Sequence, residues 1–423
     1  MNRRITVKYC FLQGGYWTLA AVAMAFTTPL LEAKGFSGTE IGILSAVKYL
    51  AVLIFQMVLG SFADKHAEKV PLQRMLILMT FVNIIFSFLF YLTGHTMWMA
   101  MLTLIIFGMT IHCASPLVDS LSIQYMNHGV KMNYAISRAC GSLCWAVFCV
   151  VVGLIADAFG ANRILIFQIV VSFLFAFFAF NMDAVDFSKE RKTEELASEN
   201  SDTKCETGEV HSCFYLLKHF PKYSLFLLGL VFVFAAYNMN STFLIDWIEG
   251  MGGNHADYGM AQFVLAMAEI PVALVFYRIR GRVSIDKLMV VCAFFCFLRA
   301  TATTFSGSVT LVILSQALEL LGLSIYYVGT VYFVMDYLPQ ADAVKGASLI
   351  NLAGMGLGEM AGSISCGLIK DAFGLRNLML LSSGVGVVGV VVMVRMWRSG
   401  KGNHETQSFS TELRKPKKVP TNT

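Results

Sequence analysis

Long apolar runs separated by short polar breaks make up most of this chain. A bilayer-spanning α-helix needs about 20 mostly apolar residues, and each of these runs has about that length. The pattern predicts twelve membrane-spanning helices in an all-α membrane protein, with no β-strand required. The predicted spans are residues 9–31, 40–63, 75–93, 97–125, 134–156, 164–182, 223–247, 258–277, 286–305, 309–337, 344–369 and 375–397.

The break between the sixth and seventh spans differs from the others. Residues 183–211 hold nine acidic and four basic residues and almost nothing apolar, which is typical of a solvated linker. It divides the spans into two sets of six, as expected of a transporter whose two bundles rock about a site at the membrane midplane. The predicted parts are an N-terminal bundle at 1–182, a cytoplasmic linker at 183–221, a C-terminal bundle at 222–397 and a cytoplasmic tail at 398–423.

The cations are unevenly distributed between the two sets of loops. Loops that follow odd-numbered spans are poor in Lys and Arg, whereas loops that follow even-numbered spans and both chain ends hold most of those near the spans. Because cytoplasmic loops carry the excess of Lys and Arg, both termini are predicted to be cytoplasmic. The expected location is the cell membrane, plasma or inner, as a multi-pass protein in the lipid bilayer.

Composition narrows the class of protein further. With 57% apolar and 14% charged residues, the chain has too little polar surface for a water-soluble globule. Most of its ten cysteines lie inside apolar runs, so they predict no disulfide framework. Because the sequence has no Walker loop, HExxH or paired CxxC, we expect no enzyme, metal, cofactor or nucleic-acid partner. The expected working unit is a monomer, with a proton gradient as its energy source.

Seven ionisable residues interrupt the predicted spans. A charge at the centre of a spanning helix costs about 2.5 to 3.5 kcal/mol even on insertion scales, so each is a functional candidate. The alternatives are structural ion pairs within the membrane and, near helix ends, side chains that reach back to the interface. The seven are Lys48, Asp119, Arg138, Glu269, Arg299, Glu319 and Glu359.

The densest group of candidates lies in the fourth and fifth spans. Asp119 follows Pro116, and Arg138 lies two helical turns before Trp145, with Gly141 between them leaving room for a ligand. A guanidinium fork, a carboxylate and an indole face are suited to a hydroxyl-rich ring. In the alternative interpretation Trp145 is a core or lipid-facing aromatic and Arg138 only pairs with Asp119.

Five passages resemble the major facilitator superfamily, and within it the branch of lactose permease and related oligosaccharide and nucleoside proton symporters. The resemblance covers nearly the whole chain. The passages are Phe55 to Lys65, Pro116 to Asp119, Arg138 to Trp145, Glu269 to Pro271 with the basic stretch Arg278 to Arg282, and Arg299 in Phe-Leu-Arg-Ala-Thr.

The resemblance implies roles for residues that match the family's motifs. Gly60 and Asp64 are similar to the loop after span two that gates the cytoplasmic side, and Arg299 is similar to the span-nine arginine used in proton coupling. Two departures affect the substrate. In span ten, Glu319 stands where the sugar permease has a histidine and Gly322 where it has a glutamate. In span eight, the permease's essential glutamate falls on Ala266, and Glu269 lies one turn later.

These observations predict a proton-coupled symporter of a polar solute, most simply a sugar or oligosaccharide. The solute is expected to contact Asp119, Arg138 and Trp145 on one bundle and Glu269 on the other. Glu319 is expected to carry the proton, with Arg299 as its partner after release.

Three other functions remain open at this stage. A nucleoside symporter would use the same hydroxyl contacts and stack its base on Trp145. The 23 Met and 34 Phe residues would give a drug or metabolite exporter adaptable walls. A non-transporting nutrient sensor would use the acidic linker and the basic tail.

Overall fold

The structure, a computed structural model, describes residues 3–65, 70–127, 130, 132, 134–183, 212–339 and 342–399. These residues are overwhelmingly helical and include no β-strand, as expected where backbone groups must be paired within each spanning segment. The α-helices are α1 Arg3–Ala20, α2 Thr27–Ala33, α3 Gly38–Lys65, α4 Leu72–Thr93, α5 Met97–Phe107, α6 Ala114–Asn127, α7 Tyr134–Phe159, α8 Ile164–Phe180, α9 Cys213–His219, α10 Pro221–Thr242, α11 Leu244–Glu249, α12 His255–Arg280, α13 Ile285–Thr304, α14 Val309–Ser315, α15 Leu323–Tyr337, α16 Ala343–Asn351, α17 Glu359–Phe373 and α18 Leu375–Ser399.

Several of these α-helices are joined to the next one by a short π-helical or 3₁₀-helical segment. Each predicted span falls on one helix or on one such joined set, except the seventh, which covers α10 and part of α11 with the turn residue Phe243 between them. Segments of this kind interrupt the regular hydrogen-bond ladder and are frequent at functional sites. The joins are the π-helical segments Ala21–Ala25, Gly108–His112 and Leu352–Gly358 and the 3₁₀ segment Gln316–Leu321.

Nine helical segments within the described residues are long and apolar enough to cross a membrane, by length and composition. Predicted spans one, eight and nine are helical too, although they are not among these nine. They carry Gln13, Glu269 and Arg299, which belong to the candidate site below. The chain is therefore a multi-pass membrane protein, while the count of twelve crossings and the cytoplasmic position of both ends stay predictions.

Each half of the chain has its own hydrophobic core. The first surrounds Tyr9, Phe90 and Phe175, and the second surrounds Tyr223 and Phe333. Between the halves, α7 packs along α12 and α17 packs along α3. These two long contacts bring polar residues of both halves towards the same central region.

The predicted linker is attached to both halves at its ends. The ammonium of Lys8 pairs with Asp183 at 2.6 Å, and the hydroxyl of Tyr125 donates to the Asp183 carbonyl. At the other end, residues 213–219 form α9, which Ser212 caps by accepting a hydrogen bond from Tyr215 N–H. Residues 184–211 and 400–423, most of the predicted linker and tail, lie outside the described residues.

Candidate functional site between the two halves

Among the described residues, the hydrogen-bond donors to the Asp119 carboxylate are neutral. Its Oδ1 accepts hydrogen bonds from Gln13 Nε2 at 2.9 Å and from the hydroxyl of Tyr134 at 3.0 Å. Asp119 lies on α6, and its donors come from α1 and α7. The carboxylate therefore ties three helices together and keeps acceptor capacity at its second oxygen.

Arg138 lies one helix away and is held mainly by an aromatic ring. Its guanidinium carbon lies 4.3 Å from the ring centroid of Trp17, and Nη1 donates to Ser142 Oγ at 3.1 Å. Among the described residues it forms no ion pair with Asp119, in contrast to the alternative drawn from the sequence. Since a guanidinium has five N–H donors, most of the fork stays available to a solute.

The space above Gly141 is occupied by Trp17, so the expectation that it admits a ligand is wrong. A Cβ at position 141 would overlap the Trp17 ring. The Trp17 indole packs edge-on against Trp145, with ring centroids 5.8 Å apart, and its Nε1 donates to Gln13 at 3.0 Å. Gly141 thus provides the room that lets Trp17 lie beside Arg138 and Trp145.

Gln13 and Trp17 are site residues that the sequence analysis missed. They lie four residues apart on α1, so they share one helix face and hydrogen-bond to each other. The signal was present, because a glutamine inside an apolar run is costly unless its amide finds partners. Hydropathy does not reveal that this face meets Asp119 and Arg138.

In the second half, Arg299 and Glu319 form a buried ion pair. Both side chains are 1% exposed, and Arg299 Nε lies 3.4 Å from Glu319 Oε2. The guanidinium also donates to Gln316 Oε1 at 2.7 Å and to Ser241 Oγ at 3.3 Å, and it lies 4.3 Å from the ring centroid of Tyr237. The predicted pairing of these two residues is present in the structure.

A local break in the helix positions the Glu319 carboxylate. Glu319 lies in the 3₁₀ segment Gln316–Leu321, and Gly322 then interrupts the helix with ψ −128°. The break lets Leu323 N–H donate to Glu319 Oε1 at 3.0 Å. Oε2 has no hydrogen-bond donor among the described residues and lies 3.4 Å from Arg299 Nε.

Glu269 lies between the two groups described above. It belongs to α12, the helix that packs along α7, and it interacts electrostatically with Arg138 of one half and Glu319 of the other. Its side chain is half-buried. Of the predicted site residues, it is the one placed to link the solute group to the buried ion pair.

A further polar group spans the other contact between the halves. Lys48 is 5% exposed, and its ammonium lies 4.7 Å from the Tyr49 ring centroid. Glu359 interacts electrostatically with Lys48 and Tyr49 from the facing helix, and His112 lies beside them with its ring centroid 6.1 Å from that of Tyr49. Lys48 therefore does not reach back to a membrane interface. His112 is a second residue that the sequence analysis missed.

The gating prediction stays untested. Gly60 is exposed, and a Cβ there would meet no atom within 4 Å, while the side chain of Asp64 lies outside the described residues. The direct hydrogen bonds and ion pairs between the halves that are described below lie on the opposite face, where the loops after odd-numbered spans run.

On this face three charged residues form a compact network. Lys370 donates to Glu32 across the halves at 2.7 Å and also pairs with Asp246. Glu32 lies just beyond the end of the first predicted span. Its burial, and then the charge of Asp246, raise the pKa of Glu32 to about 7.

The comparisons with known proteins bear on family and fold. Residues 9–381 match the model of the MFS_1 like family. No curated protein sequence matches the chain. The solved nucleoside transporter NupG is similar in structure, with a TM-score of 0.76 and 15% identity over 94% of this chain and 99% of that one. An auto-inhibited POT family peptide transporter has a TM-score of 0.67 and 10% identity over 98% and 99%.

We predict that Gly141→Ala destabilises the protein through Trp17. The added methyl overlaps the indole, and overpacking of this kind typically costs about 1 to 3 kcal/mol. In a Trp17→Ala background the same change should have little effect, because the overlapping ring is gone. Thermal unfolding in detergent of both single variants and the double variant measures this coupling.

Gly384→Ala is the matched control for that cycle, since a Cβ at 384 meets nothing within 4 Å. It should leave the midpoint of unfolding unchanged or slightly higher. Equal destabilisation by Gly141→Ala with and without Trp17 would contradict the assignment of this space to the indole.

We also predict that acid favours the closed arrangement at Glu32. Once the face opens, water would return the pKa of Glu32 to near its usual value of about 4.3, so the closed form binds the proton more tightly. The stabilisation of the closed form by the proton on Glu32 is complete below about pH 4 and is lost as the pH rises through about 7. Infrared titration of the carboxylic-acid band should show a component near pH 7 whose amplitude Glu32→Gln reduces.

The control is Glu40→Gln, which alters a carboxylate on the same face that lies outside the network of Glu32, Asp246 and Lys370. It should leave the component near pH 7 in place. A component that survives Glu32→Gln unchanged would mean that another group titrates there.

Proposed function

Because this chain belongs to the MFS_1 like family, a family of membrane transporters, we propose that it carries a polar, hydroxyl-rich solute together with protons. The solute class that the site favours is a sugar or oligosaccharide. The observation that carries this proposal is that Asp119 and Arg138 each have their own hydrogen-bonding or aromatic partners. Each charge is held by neutral or aromatic groups, so donors and acceptors remain for hydroxyl groups.

Trp17 and Trp145 supply the apolar part of the site. The Trp17 ring lies beside the Arg138 guanidinium, and the Trp145 ring packs edge-to-face against Trp17. A sugar ring has hydroxyls at its rim and C–H groups on its faces, so it can use fixed polar groups and an aromatic wall together. We therefore assign the wall to the Trp17–Trp145 pair rather than to Trp145 alone.

Proton coupling is assigned to Glu319 and Arg299. The pair is neutral while Glu319 is ionised, and Arg299 keeps Gln316 and Ser241 as partners when Glu319 takes a proton. Because Arg299 keeps hydrogen-bond partners whether or not Glu319 is protonated, Glu319 can change charge without disrupting the structure around it. Glu269, which interacts electrostatically with Arg138 and Glu319, carries the effect of the proton to the solute.

Transport then follows from alternating access. The two halves meet on the face that carries Lys370 and Glu32. We assign closure of the opposite face to Gly60 and Asp64. A solute bound by both halves favours the occluded form because only that form provides both sets of contacts.

A nucleoside is the second candidate solute. Its ribose would use the same polar groups, and its base would pack on the tryptophan pair. The fold likeness to the nucleoside transporter NupG is the reason to include nucleosides in the test.

The test is uptake by the full chain in proteoliposomes, with a panel of sugars, oligosaccharides and nucleosides and with or without a proton gradient. We expect one class to accumulate only with the gradient.

Arg138→Lys should abolish binding and uptake, because an ammonium cannot reproduce the planar fork. Arg163→Lys is the matched control, since Arg163 contacts Tyr91 outside the site. Binding without accumulation by the wild type would identify a sensor.

We predict that Glu319→Gln separates exchange from accumulation. Glutamine mimics the protonated carboxyl, so solute exchange should continue while gradient-driven accumulation falls to background. Glu269→Gln should instead weaken solute binding about tenfold or more, through loss of a carboxylate contact to the solute. Equilibrium exchange and gradient-driven uptake, measured side by side, distinguish the two effects.

The control for this pair is Glu249→Gln, in which the altered side chain is exposed outside the site. It should accumulate solute normally. If Glu319→Gln still accumulates solute while Glu269→Gln only exchanges it, the two roles are reversed and the proton belongs to Glu269.

A further inference from the structure

An eight-residue segment occurs twice in the chain with one difference. Residues 153–160 read Gly-Leu-Ile-Ala-Asp-Ala-Phe-Gly, and residues 367–374 read Gly-Leu-Ile-Lys-Asp-Ala-Phe-Gly. The copies end α7 and α17, and their last residues, Gly160 and Gly374, have φ of 84° and 83°. This left-handed conformation favours glycine and ends a helix. The repeat therefore forms the same helix end in each half.

The aspartate of each copy binds the start of a helix in the other half. The two oxygens of Asp157 accept hydrogen bonds from the first two N–H groups of α12, at 2.9 and 2.8 Å. Those of Asp371 accept from the first two N–H groups of α3, at 3.1 and 2.6 Å. Such groups have no partner inside their own helix and carry partial positive charge, so they suit a carboxylate.

The first glycine of each copy makes these contacts possible. A Cβ on Gly153 would overlap the carbonyl oxygen of His255, and one on Gly367 would overlap that of Gly38. Without side chains here, the backbones of the two halves touch. Each aspartate one turn later then lies within hydrogen-bond distance of the facing helix.

Both facing helices have caps of their own. The side chains of Ser37 and Glu40 bond reciprocally to each other's N–H groups at the start of α3, and Asn254 and Asp257 do the same for α12. Formation of these helices therefore does not depend on Asp157 or Asp371. The contacts that the two aspartates add are contacts between halves.

We propose that the two copies are paired carboxylate latches that hold this face shut, and that both must release for the face to open. The latches are unequal, because Lys370 stands in the second copy where the first has Ala156. Lys370 reaches Glu32 of the other half at 2.7 Å and so adds a hydrogen bond beside the second latch, whereas at the first latch His255 Nδ1 lies 3.1 Å from Asp157 Oδ1.

The test uses two native cysteines as reporters in the full chain, reconstituted in lipid nanodiscs. Cys149 on α7 and Cys366 on α17 are both 0% exposed. Alkylation by a small water-soluble maleimide, quantified by mass spectrometry, measures how often the face opens. Asp157→Ala and Asp371→Ala should each raise labelling of both cysteines about five-fold, the usual effect of a lost cap, and the double variant should label faster than either.

Asp257→Ala is the matched control, because it removes the local cap of α12 without touching a latch. It should label like the wild type. If an alanine variant fails to fold, the Asp→Asn versions keep the side-chain size and remove the charge.

Two results would overturn the proposal. One is wild-type labelling of both cysteines in folded latch variants. The other is faster labelling only of the cysteine beside the altered aspartate, which would indicate local fraying of one helix end. The assay needs no solute, so its outcome is independent of the transport proposal.

Discussion

A charge surrounded by apolar helices is stable only beside groups that replace water, and this requirement organises the middle of the molecule. Arg299 has Gln316 and Ser241 around it, and Asp119 has Gln13. These partners come from helices far apart in sequence. Satisfying each charge therefore also fixes how the helices pack. Helix ends obey the same rule, since the orphan N–H groups of α3 and α12 are satisfied from the facing half.

The two halves stabilise their buried charges in different ways. The proposal that one half binds the solute and the other binds the proton rests on that difference. In the second half, Arg299 and Glu319 neutralise each other out of contact with water. A group in such a pair changes its electrostatic surroundings strongly when it gains a proton. In the first half, Asp119 and Arg138 are solvated separately, and neutral polar groups of a solute can join them without breaking an ion pair. The first arrangement suits proton exchange, and the second suits hydroxyl recognition.

Hydropathy was enough to predict an all-helical multi-pass chain, because a run of about 20 apolar residues pairs its backbone groups in a bilayer by forming a helix, whereas the family's fold was predicted from the motif resemblance. Hydropathy also exposed each buried charge, such as Glu319, as an interruption in an apolar run. It did not predict which helices face each other. For that reason Gly141 was expected to leave a ligand space that Trp17 fills, and His112 went unnoticed beside Lys48. Periodicity places a residue on a face of its own helix, whereas its partner is set by packing between distant segments.

Coupling between a solute and a proton requires that each alters the binding of the other by the same factor. Glu269 provides a physical route for this in the proposed scheme, because it interacts with Arg138 on one side and Glu319 on the other. A proton on Glu319 removes a negative charge near Glu269, which leaves the Glu269 carboxylate easier to ionise and a better acceptor for solute hydroxyls. By the same linkage, a solute that binds the ionised form of Glu269 alters the proton affinity of Glu319. In the proposed scheme the two carboxylates therefore act as one coupled unit, with Glu319 beside the arginine that neutralises it.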